Sequence, residues 1–355
     1  MRLPRSATTS LAMTIYMNPQ QIKKLDKSNL LGSIKLLGKQ CEAAWKEVKK
    51  IKVPAGYRGM ENIVVAGMGG SALGGHLIQS LFADKLKKPL EIIRGYTLPA
   101  YVGPKTLLIL SSYSGNTEET LAAAAEGKKR KAKILGLATG GKLANFLRTN
   151  NYPAYIFKPT YNPSNQPRMG LGYSIFGQLG LLARCGLLKI DEKEINQAIT
   201  LLNRKNDATK TFAEKLKNKI PIIVASEFLT GNAHAFTNQI NENAKCFAAY
   251  FELPELNHHL MEGLKNPDAK KNLKFVLINS NLYHPRNQKR YRVLKEVLQE
   301  NKVDFIEYQP KAKTKFQQSM ETLLFGSYVS FYLAMLYNLD PAPVPWVDFF
   351  KKRLA

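Results

Sequence analysis

The chain has 355 residues, 45% of them hydrophobic, which is enough for two packed domains and marks a soluble globular protein. Its 52 lysines and arginines against 27 acidic residues leave a formal charge of +25, but the lysines are spread over solvated helix faces (Lys46, Lys49, Lys50; Lys128, Lys129, Lys131) without interleaved aromatics, which argues against nucleic acid and leaves a general pull on anionic substrates. Cys41, Cys185 and Cys246 show no C-x-x-C spacing, which argues against a disulfide framework or a zinc site and fits a reducing cytoplasm.

The start, MRLPRSATTSLAMTIYMNP, carries too short and too broken an apolar stretch for a signal peptide and reads as a disordered extension, with Met13 and Met17 as alternative starts. Residues 26–50 read as a helix with Leu37, Cys41, Ala44 and Trp45 on one stripe, suited to covering a sheet. Then come strand 62–66, helix 71–85, strand 90–94, strand 107–111, helix 116–127, strand 133–138, helix 141–149 and strand 154–158. Strands alternating with such helices predict an α/β fold with a doubly wound parallel sheet, and ligands at the carboxyl ends of its strands. Pro159, Pro163 and Pro167 mark a crossing between domains.

Beyond the crossing come helices 170–186 and 191–218. Strand 220–225, helix 231–245, strand 246–252, short helix 258–264, strand 273–279, helix 286–300 and strand 303–308 then repeat the order of the first half without its glycine and hydroxyl loops. The most apolar window, 323–339, falls short of the about 20 residues of a membrane span and is broken by Gly326, Ser327 and Ser330, so it reads as a buried core helix. This divides the chain into an extension with helices (1–57), a first domain (58–160) and a second domain with a C-terminal helix and tail (161–355).

Two strand-to-helix loops of the first half carry chemistry. Strand 107–111 runs into Ser112-Tyr113-Ser114-Gly115-Asn116-Thr117, and strand 62–66 runs into Gly67-Met68-Gly69-Gly70-Ser71. The first N–H groups of a helix lack intrahelical partners and sit at the positive end of its dipole, so a phosphate there gains hydrogen bonds and a favourable field. Gly70 and Gly115 allow close turns, and Ser71, Ser112, Ser114 and Thr117 supply neutral donors. Glu118 and Glu119 must point away from such an anion. The plainer reading is a turn with an N-cap.

Gly67-Met68-Gly69-Gly70-Ser71-Ala72 also fits the G-x-G-x-x-A variant of the dinucleotide fingerprint. That reading wants an acid after the next strand, where the chain has Arg94-Gly95; an arginine could take a phosphorylated ribose, but the reading leaves the Ser/Thr cluster idle. One small phosphate held by both loops accounts for more of the sequence.

GMGGSALGG followed by SSYSGNTEET resembles the sugar isomerase (SIS) fold, in which two such loops hold the phosphate of a sugar phosphate. Gln166-Pro167-Arg168, Asn241-Glu242-Asn243-Ala244-Lys245, Pro254-Glu255-Leu256-Asn257-His258 and the tail ending Lys351-Lys352-Arg353-Leu354 are similar, more narrowly, to the bifunctional phosphoglucose/phosphomannose isomerases of archaea and bacteria. The resemblance runs from about Lys24 onward. It implies two SIS-type domains and a hexose 6-phosphate substrate contacted by Gly70, Ser71, Ser112, Ser114, Thr117 and Arg168.

In helix 231–245, Ala233, Phe236, Ile240 and Ala244 form the apolar face, which groups Asn238, Glu242 and Lys245 on another. Taken alone, Glu242 reads as a surface acid paired with Lys245. The resemblance makes it the general base that moves a proton between C1 and C2, a task one carboxylate can perform in both directions without metal or cofactor. His258 reads by itself as part of a capping turn; by resemblance it opens the hexose ring from the neighbouring subunit of a homodimer, with His259 as the less favoured twin. Arg168 could simply pair with a carboxylate, and by resemblance it faces the enediolate.

The tail Pro343-Val344-Pro345-Trp346-Val347-Asp348-Phe349-Phe350-Lys351 is similar to the family's P-V-x-x-I-x-x-L-K and makes Lys351 catalytic, with Lys352 a one-residue alternative. No Thr or Ser lies between Asp340 and Phe349, where a hydroxyl would serve both C2 epimers, so the resemblance implies glucose 6-phosphate first and mannose 6-phosphate second. The competing readings are an isomerase for another sugar phosphate and a non-catalytic SIS sugar-phosphate-binding module.

Overall fold

The computed structural model describes residues 19–203 and 208–354; Met13 and Met17 lie outside them. The helix expected over 26–50 is broken. After α1 (Pro19–Leu25), Asn29 takes left-handed backbone and its side chain accepts the Gly32 N–H, opening α2 (Leu30–Lys35), and Leu36 interrupts the run before α3 (Leu37–Val48).

The first sheet is laid down by β1 (Asn62–Ala66), β2 (Leu90–Ile93), β3 (Thr106–Ser111), β4 (Lys133–Ala138) and β5 (Ala154–Ile156), all parallel in the order β2-β1-β3-β4-β5. Side chains alternate across it. Ile63, Val65, Leu107, Ile109, Leu135 and Leu137 enter one core, while Val64, Ala66, Leu108, Leu110, Ile134 and Ala138 enter the other. A strand buried on both faces has to read as a nearly continuous apolar run, and these do. Helix α4 (Gly70–Leu81) covers the first face, and α5 (Glu118–Lys129) and α6 (Gly141–Thr149) cover the second.

Helix α7 (Leu171–Arg184) lies past the crossing yet packs on the first sheet, and α3 packs on α7 and on α8 (Glu192–Leu202) instead of on a sheet. The single helix expected over 191–218 is two, α8 and α9 (Ala208–Glu214), with residues 204–207 outside the described set.

The second sheet has β6 (Ile220–Ser226), β7 (Ala249–Leu253), β8 (Leu273–Ile278) and β9 (Asp304–Tyr308), again all parallel, in the order β7-β6-β8-β9. Helix α10 (Thr230–Gln239) comes after β6, α11 (Pro285–Glu300) after β8, and α12 (Lys315–Leu336) is the core helix expected near 323–339. The chain ends in α13 (Pro345–Leu354), which buries none of its residues. The helix expected at 258–264 is replaced by 3-10 turns at Glu255–His258 and Glu262–Leu264. Among the described residues no helix is long and apolar enough to cross a membrane. One apolar cluster runs from α3 through α7 and α4 into α10, α12 and the second sheet, so the two sheets share a core.

Candidate active site

Gly69 (φ 47) turns the chain from β1 into α4, and Gly115 (φ 71) turns it from β3 toward α5; both are left-handed positions that glycine takes without steric cost. Neither helix is capped by a side chain. Gly69 has none, and Thr117 makes no capping bond, because its hydroxyl lies 2.8 Å from Ser112 Oγ, which accepts the Gly115 N–H at 3.1 Å. The plain N-cap reading thus fails; in α4 the Ser71 and Ala72 N–H groups turn back to the carbonyls of Met68 and Gly69 at 3.0 Å each, which leaves the Gly70 amide and the first turn of α5 to an anion.

The two loops are tied together. The Tyr113 N–H donates to Ser71 Oγ at 2.9 Å, and Ser111 Oγ donates to the Ser71 carbonyl at 2.9 Å. Ser71 and Ser112 are buried; Ser114 is exposed and accepts the Asn116 N–H at 3.3 Å. Glu118 accepts from the Tyr96 hydroxyl at 3.3 Å, so its carboxylate is engaged outside the two loops.

Gly70 joins these loops to the rest of the site. A Cβ there would stand 2.9 Å from the Pro167 carbonyl carbon and from the Arg168 nitrogen, so only a glycine lets α4 approach the 3-10 turn Pro167–Met169 so closely. From that turn the Arg168 side chain enters the interior, 1% exposed, and uses all five of its donors. Nε donates to Asn243 Oδ1 at 2.6 Å; Nη1 donates to Gln166 Oε1 at 2.8 Å and to Glu242 Oε2 at 3.2 Å; Nη2 donates to the carbonyls of Pro341 at 2.9 Å and Ala342 at 2.8 Å. Burial works against this charge, and the Glu242 carboxylate offsets it.

Glu242 owes its place to a departure from α geometry. Helix α10 stops at Gln239, Ile240–Ala244 forms a π turn, and Lys245 leaves it in left-handed backbone (φ 51). A π turn holds one more residue than an α turn and rotates the side chains beyond it. The shared face expected for Asn238, Glu242 and Lys245 is therefore dispersed. Asn238 meets His234 Nε2 at 3.4 Å, Glu242 turns to Arg168, and Lys245 Nζ donates to the carbonyls of Asn243 at 3.2 Å, Asp340 at 2.9 Å and Pro341 at 3.0 Å.

Burial raises the Glu242 carboxyl above the ordinary carboxylate value, against the pull of Arg168, then of Lys245 and Lys351. Its side chain keeps 32% of its surface open. A carboxylate raised in this way, held by one cation and partly open, is equipped to accept a proton.

Lys351 and Lys352 both sit exposed on α13, and Lys351 is among the cations that lower Glu242. His258 is exposed in its turn, and no hydrogen bond or ion pair among the described residues joins it to Glu242; His259 lies 4.0 Å from Glu255. Gln166, Asn243 and the carbonyls of Pro341 and Ala342 complete the seat of Arg168, and sequence reasoning assigns none of them a role. Their signal is weak: Gln166 and Asn243 sit inside motifs whose charged members draw the eye, and the tail's prolines mark only a stiff connection.

Paired loops at the strand ends of two parallel sheets define a protein of the SIS fold. The C-terminal domain of glucosamine-fructose-6-phosphate aminotransferase from Francisella tularensis superposes with a TM-score of 0.70 at 14% identity, over 88% of this chain and 98% of that one, a likeness of fold alone. Residues 204–354 match the family model of the bacterial phospho-glucose isomerase C-terminal SIS domain. The bifunctional phosphoglucose/phosphomannose isomerase of Caldicellulosiruptor bescii is 34% identical over 337 residues, covering 91% of this chain and 98% of the relative. Its namesake from Aquifex aeolicus is 29% identical over 87% of this chain and 94% of the relative. The chain belongs to the bifunctional phosphoglucose/phosphomannose isomerase family and is an isomerase.

Proposed function

We propose that this isomerase interconverts glucose 6-phosphate, and mannose 6-phosphate as a second substrate, with fructose 6-phosphate. The phosphate rests on Gly70, Ser71, Ser112, Ser114 and Thr117 between the N-termini of α4 and α5. Glu242 takes the proton from C2 of the open-chain aldose as the C1 carbonyl becomes an enediolate, and returns it to C1. Arg168 stabilises the developing oxyanion by redirecting the Nη1 hydrogen that Glu242 now holds, with Lys351 adding a second positive charge.

What carries this reading is the continuity of the site: the turn pressed against Gly70 is the one from which Arg168 reaches Glu242. A phosphate on the two loops and a proton-accepting carboxylate thereby become parts of one rigid frame. His258 acts from a second copy of the chain in a homodimer and opens the hexose ring. The exposed apolar residues Trp346, Phe349, Phe350 and Phe247 support such a partner, since a lone subunit leaves them in water.

In this reading affinity is assigned to the loops of the first sheet and proton transfer to residues beyond the crossing. A coupled assay on glucose, mannose and fructose 6-phosphates, with and without chelator, tests the proposal; turnover of all three without metal is expected, and no turnover on any would overturn it.

A further inference from the structure

Lys245 has three N–H donors, and each ends on a backbone carbonyl: Asn243 in the π turn, and Asp340 and Pro341 in the connection between α12 and α13. The Pro341 carbonyl is shared, because Arg168 Nη2 donates to it as well. The Ala342 N–H closes the same short turn on Asp340 Oδ1 at 3.1 Å. Two cations that flank Glu242 thus grip three consecutive residues of the tail, 340–342.

The grip matters because the C-terminal helix has little hold of its own. Helix α13 buries no residue; the link to it contains Pro341 and Pro343 and the helix opens on Pro345, and these rings fix the backbone. The clamp and this stiff link therefore set where Lys351 stands relative to Glu242. Lys245 also occupies a left-handed helix end where glycine or asparagine is the ordinary choice.

We propose that Lys245 is a positioning residue of the isomerase: its ammonium clamps the tail connection at Asp340–Pro341 onto the π turn and so fixes the lysine-bearing C-terminal helix against the base. The inference rests on the proposed role of Glu242. Lys245 itself is poised for the task by its surroundings. Burial, then the like charge of Arg168, brings its ammonium down to about 8, against the attraction of Asp340 and Glu242.

The test uses the full chain with Lys245→Met and Lys245→Arg. Misplacement of about 1 Å in a catalytic frame costs up to ~10²-fold in rate, so Lys245→Met should lower kcat on fructose 6-phosphate by tens of fold while KM stays within about twofold. Lys245→Arg, which keeps donors for the carbonyls, should recover most of the loss. The alkaline limb of kcat near pH 8 should move upward in Lys245→Arg. In Lys245→Met, hydrogen exchange at the Ala342 amide should quicken.

If Lys245→Met does not melt cooperatively, Lys245→Gln, neutral but still a donor, takes its place with an intermediate kcat expected. A lowered melting temperature with unchanged kcat, or an alkaline limb that Arg leaves in place, would overturn the positioning role. The Ala342 exchange reports the clamp without reference to catalysis. Failure of the base assignment shows elsewhere, as persistent C2 proton exchange in Glu242→Gln, so the two failures are distinguishable.

Discussion

The two halves of the molecule use one strand order for opposite ends. In the first, β2-β1-β3-β4 places the loops after β1 and β3 side by side; in the second, β7-β6-β8-β9 does the same for the loops after β6 and β8. The first pair of loops is glycine and hydroxyl, and α4 and α5 begin without side-chain caps. Across the second pair the chain supplies its own anion. Glu227, just after β6 and in left-handed backbone (φ 48), sends its carboxylate across to the loop after β8, where Oε1 accepts the His284 N–H at 2.7 Å and Asn287 Nδ2 at 2.8 Å. His284 Nδ1 then accepts the Arg286 N–H at 3.2 Å and caps α11.

A helix start at the end of a parallel strand wants a negative charge. Leaving that charge out of the covalent chain creates a demand that a ligand phosphate can meet, and building it in turns the same geometry into plain structure. Under the proposed function, the second half has no phosphate to bind and its π turn carries the proposed base.

The largest effect should come from the half that lacks the phosphate loops. Glu242→Gln keeps size and much of the hydrogen bonding to Arg168 but cannot take the proton, so kcat should fall by at least ~10²–10⁴-fold with KM little changed. Solvent-deuterium exchange at C2 reads the same step, and exchange at the wild-type rate would move the base elsewhere. The sign of the pH dependence is set by burial: Glu242 stays protonated above the ordinary value of 4.5, so the acid limb of kcat/KM should lie above that value.

Next in size is the phosphate half. Ser112→Ala with Thr117→Ala removes two hydroxyls that face the proposed anion, each hydrogen bond to a charged oxygen being worth roughly 1.5–3 kcal/mol. KM should rise strongly and kcat fall less, measured on fructose 6-phosphate. Equal losses in both halves of this comparison, or unchanged affinity in the double variant, would break the assignment of affinity to the first half.

Much of this contrast is legible in the order of the amino acids, and its limits have physical causes. Strands 62–66 and 133–138 and helix 141–149 fall where the apolar alternation puts them, because β1 and β4 are buried on both faces and α6 has one apolar stripe. The π turn is illegible there: a pattern read at 3.6 residues per turn cannot show one inserted residue, and only the seat of Asn243 between Arg168 and Ser330 Oγ (3.0 Å) reveals why it is there. Strand β7 begins at Ala249 and not at 246 because the Asn241 amide takes both backbone groups of Ala248, each at 3.0 Å. The internal anion is hidden too. Glu227 and His284 lie 57 residues apart, and no local spacing links them.

A smaller effect tests the internal anion. Glu227→Ala leaves the His284 N–H and the Asn287 amide without their acceptor, which should cost about 1–3 kcal/mol of stability in denaturant titration. Because neither group belongs to the proposed active site, KM and kcat should hold. A shift in KM would show that the second pair of loops takes part in substrate binding after all.

The smallest effect lies at the seam of the halves, where His76 on α4 and His234 on α10 approach Nδ1 to Nδ1 at 2.9 Å, with His234 stacked on Tyr250. Such a contact needs one ring to donate and the other to accept, so the two rings cannot both be charged. Burial, with the positive charge of Arg94, brings His76 down to about 4; burial, then His76 and Arg94, brings His234 to about 3. In the unfolded chain both titrate near 6.5. Between pH 6.5 and about 4 the unfolded state therefore binds protons that the folded state refuses, and stability falls as pH drops through that window. His234→Gln removes one of these titrations and one hydrogen bond. At neutral pH it should cost on the order of 1 kcal/mol. Its melting temperature should then decline less steeply than wild type as the pH is lowered from 6.5 toward 4. Parallel declines would mean that the acid sensitivity of the fold arises away from this seam.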